Sequence, residues 1–262
     1  MLFLYYFIYK LYIMNKIILF DVDGTITESS QNIKKEMVFI LKSLQQKGYQ
    51  LGIVGGGKLD KILQQINNEI YFDHYFSEYG SIYYKNYIND TLDLIEIYKK
   101  DIRKHILYKD INKLIKVVLS YLSNVPYDIT GHFIDLRNGL IYISLIGLTA
   151  NIDERVYFMD LDKKYNYRKE LLQILNEKSK ELNTSHQISI TEGGSVGIAI
   201  YPNEYDKTQV LDVITKEKYD EIHYFGDKYE PNGNDYNIIT HKNVIGHCVN
   251  NPEDTIELLK KL

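Results

Sequence analysis

Two carboxylates spaced two residues apart, Asp21 and Asp23 in the segment FDVDGTIT (20–27), have the clearest chemical potential in this chain. The apolar run Lys16 to Phe20 closes on Asp21, and its continuous hydrophobicity suggests a buried parallel strand with the pair at its carboxyl end. Gly24 lets the chain turn sharply off that strand. In such a turn Asp21 can attack phosphorus as a carboxylate nucleophile. Asp23 can then serve as general acid and base for the oxygen that leaves or arrives. Two bare anions facing a phosphate require a counter-charge. The segment GDKYEPNGND (226–235), at the end of another expected strand, brings Asp227, which together with Asp21 could hold a hard, oxygen-ligated cation such as magnesium. The competing reading of 21–23 is a polar strand-end turn that satisfies backbone groups.

Several elements must position these groups. Ile33, Met37, Ile40, Leu41 and Leu44 repeat at helical spacing up to Gly48, and Tyr49 to Val54 reads as a second strand. The turn Gly55-Gly56-Gly57 then leads into a helix from about Lys58 to Ile66; the turn is either a phosphate cradle or a plain strand-to-helix connection. Strand, helix, strand, helix is the doubly wound α/β pattern. A different rhythm begins near residue 95. It comprises a helix with Ile111, Leu114, Ile115, Val118, Leu119 and Leu122 on one face, and a strand pair 132–137 and 140–146 turned by Asn138-Gly139. A helix at 168–182 and strands at 187–190 and 196–201 follow. After Pro202 the α/β rhythm returns with a helix from about Asp206, strands at 221–225 and 244–249, and a last helix opened by Asn251-Pro252. The expected architecture is a Rossmann-like parallel-sheet core, 14–94 and 202–262, split by an α+β cap at 95–201.

The quoted motifs FDVDGTIT, VGGGK, EYDK and GDK…GND resemble the haloacid dehalogenase superfamily of phosphotransferases. The stretches FSEYGSIYYK (76–85), FIDLRNGLIYISLIG (133–147), DERVYFMDLDKK (153–164), YPNEYDK (201–207) and FGDKYEPNGNDYNI (225–238) narrow the resemblance to the eukaryotic-type phosphomannomutases. That resemblance implies Asp21 as nucleophile, Asp23 as acid and base, and Lys207 as the group that stabilises the phosphate. It implies a magnesium site from Asp21, the Asp23 main chain and Asp227, supported by Asn234 and Asp235. Arg137 and Arg155 on the cap would hold the distal phosphate, with Asn138 beside them as a substrate contact. It further implies interconversion of mannose 6-phosphate and mannose 1-phosphate through an aspartyl phosphate, a hexose 1,6-bisphosphate activator, and a homodimer formed through the cap. A phosphatase of the same fold and a non-catalytic relative are the alternatives. Lys207 also reads as a solvated lysine after a helix cap at Asp206, and the two arginines as surface ion pairs.

The chain departs from the family pattern at named positions. Gly57 stands where a serine or threonine would contact the transferring phosphate, Ser30 and Leu148 where arginines are expected, and Gly197 and Ala199 where a serine and an aspartate would meet sugar hydroxyls. His241 replaces an aspartate of a second cation site.

With 31 basic and 35 acidic residues, net charge −4 and no long run of either sign, capture of nucleic acid or of an anionic membrane is not expected. The single Cys248 excludes an internal disulfide framework and suits a reducing compartment, the cytoplasm by default. The apolar leader 1–13, interrupted by Lys10, is shorter than the ~20 residues of a spanning helix. It reads as an upstream extension before Met14, or alternatively as a membrane-surface anchor.

Overall fold

The computed structural model describes residues 15–87, 91–231 and 233–262. The leader 1–13 lies outside the described residues. Strand β1 (Lys16–Phe20) lies inside a seven-stranded sheet, third from one edge. On one side it pairs in parallel with β2 (Gln50–Val54), followed by β3 (His74–Ser77) and the antiparallel β4 (Ile82–Asn86) and β5 (Leu94–Lys99). On its other side lie the parallel strands β10 (Glu221–Gly226) and β11 (Ile245–Cys248). The chain therefore leaves β1 in one direction and returns to its opposite edge, which makes the carboxyl end of β1 a topological switch point.

Helices α1 (Lys35–Gln46), α2 (Leu59–Ile66) and α8 (Pro252–Leu259) cover one sheet face, where Met37, Leu41, Ile62 and Ile256 pack against Ile18, Phe20 and Ile53. Ile17, Leu19, Val54 and Tyr224 pack on the other face against Leu211, Ile214 and Ile238 from the short helices α6 (Leu211–Ile214) and α7 (Tyr236–Ile239). Burial on both faces explains why β1 is apolar throughout.

Two sequence expectations change here. Residue 95 falls inside β5, which is hydrogen-bonded to β4, so the insertion starts no earlier than Lys100. The helix expected from Asp206 is a 3-10 turn (Lys207–Val210) leading into the four-residue α6. Asp206 accepts a hydrogen bond from the Thr208 amide and caps that turn.

The inserted segment forms a four-stranded antiparallel sheet in the order β6 (Ile134–Leu136), β7 (Ile141–Ser144), β9 (Gly197–Pro202), β8 (Ile188–Gly193). One face carries helices α3 (Tyr108–Leu122), α4 (Ile152–Tyr165) and α5 (Tyr167–Glu181). Because strand side chains alternate, Ile141, Ile143, Ile198 and Ile200 enter this core with Leu114, Phe158 and Leu171. Tyr142 and Ala199 occupy the opposite face with Leu140, Tyr201 and Tyr79 of the main domain. Helix α4 buries little besides Phe158 and Asp162 and has no apolar period to announce it. Its start is marked instead by a capping box in which Asn151 and Glu154 bond each other's amides.

No helix among the described residues is long and apolar enough to cross a membrane.

Inside the sheet, His74 is fully buried between Tyr83 (Nδ1 to Oη 2.9 Å) and Tyr219 (Nε2 to Oη 3.1 Å). Burial lowers its pKa to about 4, against the pull of Glu217 and with a small push from Lys85. An unfolded chain takes up this proton below about pH 6.5 while the folded chain does not. Stability should therefore fall as the pH drops from 7 towards 4. In urea titrations at pH 7 and 4.5, His74 should account for ~2.5 kcal/mol of the loss. A His74→Gln variant should show a correspondingly smaller difference between the two pH values, and an identical difference would remove His74 as the cause.

Candidate active site

Asp21 ends β1, and its amide donates to the Phe225 carbonyl at 2.9 Å, which fixes the residue beside the end of β10. The chain then doubles back. The amides of Thr25, Ile26 and Thr27 all donate to the Val22 carbonyl, and Gly24 adopts φ +87°. A Cβ on Gly24 would stand 2.6 Å from Asp227 Oδ2, so glycine both permits the turn and leaves room for the second acidic motif.

The centre of the site is a buried ammonium. Lys207, 1% exposed, donates to Asp21 Oδ1 at 2.5 Å, to Asp235 Oδ1 at 2.6 Å and to the Tyr224 hydroxyl at 3.2 Å. Tyr224 itself donates to Asp235 Oδ1 at 2.5 Å, and the Lys228 amide donates to Asp235 Oδ2 at 3.0 Å. The solvated reading of Lys207 is thus overturned. Burial works against its charge, but Asp21 and Asp235 hold its pKa far above the ordinary lysine value. Burial likewise pushes Asp21 up to about 8; Lys207 opposes this, while Asp235 and Asp227 add to it. The short contact has the geometry of an ion pair.

Asp23 has a different environment. Its carboxylate accepts from Lys61 Nζ at 2.6 Å, Gln65 Nε2 at 2.8 Å and the Ser30 amide at 2.7 Å. Burial alone would raise its pKa, yet Lys61 and these hydrogen bonds outweigh it and hold the group below the usual carboxylate range. Lys61, Gln65, Tyr79, Tyr224 and Lys228 are site residues that the sequence reading did not single out. Lys61 and Gln65, one helical turn apart in α2, carry a readable signal because that helix follows the glycine turn directly.

Asp21, Asp227 and Asp235 each offer an oxygen, all within 4.8 Å of one another. Asp227 Oδ1 and Asn234 Oδ1 are buried without a hydrogen-bond partner. A set of hard oxygen donors with two orphaned atoms fits a divalent cation such as magnesium. In this arrangement Lys228 Nζ contacts Asp227 Oδ2 at 2.6 Å. Asp235, by contrast, spends its oxygens on Lys207, Tyr224 and the Lys228 amide, and so acts as a brace for the site. His241 lies beyond α7 and accepts from the Asn243 amide, away from any acidic cluster among the described residues.

Facing these groups is a cavity of about 400 Å³ lined from both sides. The main domain contributes Asp21, Asp23, Lys61 and Asn234, and the cap contributes Arg137, Tyr142 and Arg155. Arg137 Nη1 donates to the Gly56 carbonyl at 2.8 Å and Nε to Asp135 at 2.8 Å, while Lys58 bonds Asp135 across the gap at 2.9 Å. The glycine turn therefore meets the cap through a carbonyl. Arg155 is held by the carbonyls of Ala150 and Leu148 at 3.0 and 3.2 Å. Ser30 and Leu148, where the resemblance expects arginines, line the same cavity. Asn138 is not among its lining residues. Its amide and side chain bond the buried Glu78 at 2.5 and 3.2 Å, so it ties the cap hairpin to the main domain and is withdrawn from the set of substrate contacts.

A family model described as eukaryotic phosphomannomutase matches residues 37–262. The chain belongs to the eukaryotic phosphomannomutase family. Phosphomannomutase of Encephalitozoon cuniculi is 36% identical over 253 residues, covering 94% of each chain. Phosphomannomutase 1 of Homo sapiens is 32% identical, covering 93% of this chain and 90% of that one. Among solved structures, an IMP-bound mutant of Plasmodium falciparum IMP-nucleotidase matches 94% of this chain at TM-score 0.70 and 15% identity; the match spans 66% of that longer chain. A C. albicans trehalose-6-phosphate phosphatase domain matches 95% of this chain and 91% of that one at TM-score 0.56 and 13% identity. These two show that the chain shares its fold with phosphatases.

Removing the buried ammonium tests the geometry directly. Lys207→Met leaves Asp21 and Asp235 facing each other without their cation, and should lower the unfolding free energy by ~3–5 kcal/mol in magnesium-free urea titrations. Adding Asp235→Asn should recover part of that loss. An unchanged midpoint in the single variant would mean that the pair is not held as described.

Proposed function

We propose that this enzyme interconverts mannose 6-phosphate and mannose 1-phosphate through a phosphorylated Asp21 and a hexose bisphosphate. The observation that supports this best is the single cavity with Asp21 and Asp23 on one wall and Arg137 and Arg155 on the other. A sugar bisphosphate needs such a space, with a reacting group at one end and cations at the other. In the first half-reaction a free hydroxyl oxygen of the sugar monophosphate attacks the phosphorus carried by Asp21, the bond from that phosphorus to the Asp21 oxygen breaks, and Asp23 takes the hydroxyl proton, which leaves the bisphosphate. After the bisphosphate reorients, the Asp21 oxygen attacks its other phosphorus, the bond from that phosphorus to the sugar oxygen breaks, and Asp23 returns the proton to that oxygen. Lys207 holds Asp21 in position and offsets charge on the phosphoryl oxygens. Lys61, which keeps Asp23 ionised, is half-exposed on a flexible stem and can withdraw when Asp23 must carry the proton.

Magnesium, held by Asp21, Asp227, Asn234 and the Asp23 main chain, would supply charge neutralisation between carboxylate and phosphate. A hexose 1,6-bisphosphate would load Asp21 before the first turnover. The single cysteine supports a reducing compartment, and the apolar groove between α3 and α5, lined by Val117, Tyr121, Val125 and Ile174, supports a homodimer formed through the cap.

A second reading, hydrolysis of sugar phosphates, is favoured by Ser30 and Leu148 in the cavity wall. Each absent arginine removes a charge-assisted phosphate contact of about 1.5–3 kcal/mol, which would otherwise retain the bisphosphate while water is excluded.

Asp21→Asn should abolish both turnover and transfer of labelled phosphate from a hexose bisphosphate to the protein, with the circular dichroism spectrum unchanged. Asp23→Ala should accept the label only slowly, because the departing sugar oxygen loses its proton donor, and should turn over ~10²–10⁴-fold more slowly. Asp227→Ala should lose the magnesium response while remaining folded. Labelling of the Asp21→Asn protein, or full activity after chelation, would sink the assignment. Arginines restored together at Ser30 and Leu148 should raise the ratio of mutase to phosphatase turnover.

A further inference from the structure

The cavity face of the cap sheet is laid out by strand alternation. Tyr142 on β7 pairs with Ala199 on β9, and Ser144 pairs with Gly197. Tyr142 lies across a bed of small residues, with its hydroxyl donating to the Gly193 carbonyl at 2.9 Å. A Cβ on Gly193 would stand 2.9 Å from Tyr142 Cε2. One on Gly197 would stand 2.5 Å from Tyr142 Cζ and would also press on the Ile143 carbonyl oxygen, so position 197 is closed by backbone as well as by the ring. At Gly193 the ring is the nearest obstacle, and both glycines leave the volume above the sheet to it. On its other side, the Arg137 guanidinium lies 4.6 Å from the ring centroid. Tyr142 is thus fixed on three sides and lines the cavity together with Gly193.

We propose that Tyr142 is the specificity-determining residue of this site: it replaces with an aromatic wall the polar side chains that would read the hydroxyls of a sugar ring. The proposal rests on the hexose-phosphate reading above. The ring hydroxyl has committed its proton to Gly193, so Tyr142 has no donor to offer the sugar. A site built to hydrogen-bond a hydroxyl can reject an analogue that lacks it by ~10⁴–10⁵-fold, whereas an apolar wall rarely separates close analogues by more than ~10²-fold. The enzyme consequently recognises its substrates by their phosphates and by ring shape, and discriminates weakly between hexose phosphates that differ in the configuration of one hydroxyl.

Four proteins test this: the unaltered enzyme, Gly193→Ser, Tyr142→Asn and the double variant. Each is scored by thermal midpoint and by kcat/KM for mannose 1-phosphate against glucose 1-phosphate, which are epimers at one carbon. Gly193→Ser alone should lower the midpoint by roughly 2–8 °C, because the ring and the serine compete for one volume. In the Tyr142→Asn background the same change should cost almost nothing. The unaltered enzyme should separate the two sugars by less than about tenfold, and the double variant should widen that separation at least ~10-fold. Additive midpoints, or an unaltered enzyme already more than ~10²-fold selective, would overturn the role of Tyr142. Absence of turnover on every hexose phosphate would instead count against the functional reading. The midpoints would then still decide whether the ring excludes a side chain at 193.

Discussion

A charge buried without a partner is among the most destabilising things a fold can contain, and the site is organised around avoiding that at Lys207. Its ammonium sits between Asp21 and Asp235 with the Tyr224 hydroxyl beside it; Lys207, Asp235 and Tyr224 are closed off from water, and Asp21 keeps a small exposure to the cavity. The four groups come from the end of β1, the turn before α6, the strand β10 and the loop before α7, so each segment is held by the need to keep the others paired. With all three carboxylates ionised, Asp21, Asp227 and Asp235 outnumber Lys207 and Lys228 by one negative charge, and two further oxygens, on Asp227 and Asn234, are left without partners. A site built this way is incomplete with the protein's own cations alone, which is a physical reason for a divalent ion to belong there.

Topology explains why these groups meet at all. Because β2 and β10 flank β1 on opposite sides, the loops leaving all three strands diverge at one end of the sheet and open a crevice there. The cap closes over the crevice through its hairpin, with Arg137 on the Gly56 carbonyl, Lys58 on Asp135 and Asn138 on Glu78. Glu78 and Tyr79 both adopt positive φ, 52° and 61°, which costs energy for residues with side chains. This backbone turns Glu78 towards the cap hairpin and Tyr79 towards Lys207 and Asn234, joining the segment after β3 to the loop between β10 and α7.

Much of this was legible in the sequence because the relevant signals are local. The apolar run before Asp21, the helical spacing of Met37, Leu41 and Leu44, and the Asn138-Gly139 turn each depend on a few neighbouring residues, and β1, α1 and the β6–β7 hairpin lie where those signals point. What escaped depends on distant partners. The strands β3 to β5 have no turn signals strong enough to separate them, and β5 is half-exposed at the sheet edge, so its membership of the core is decided by pairing with β4. Lys207 follows a capping aspartate in a way that suits a solvated residue, and nothing in its neighbourhood reveals that Asp21, 186 residues away, takes up its charge. Asn138 illustrates the opposite error: its position beside Arg137 suggests the substrate, whereas the buried Glu78 requires its donors.

The two aspartates of the DxD motif also show why identical side chains two residues apart need not share a role. Asp21 is buried among other carboxylates, and that environment raises it to about 8 even with Lys207 in contact. Asp23 faces three donors, Lys61, Gln65 and the Ser30 amide, and is held below the usual carboxylate range. Asp21 is therefore a carboxyl whose ionisation depends on how much positive charge surrounds it, whereas Asp23 is an anion by virtue of hydrogen bonds that can be exchanged one at a time. In the mechanism proposed above, the first property couples the nucleophilicity of Asp21 to cation binding and to the charge of the arriving phosphate, and the second suits a group that releases and recovers a proton within one catalytic cycle. This separation arises from burial: Asp21 closes a strand packed on both faces, and Asp23, one turn further on, projects into the cleft where the cap and α2 can reach it.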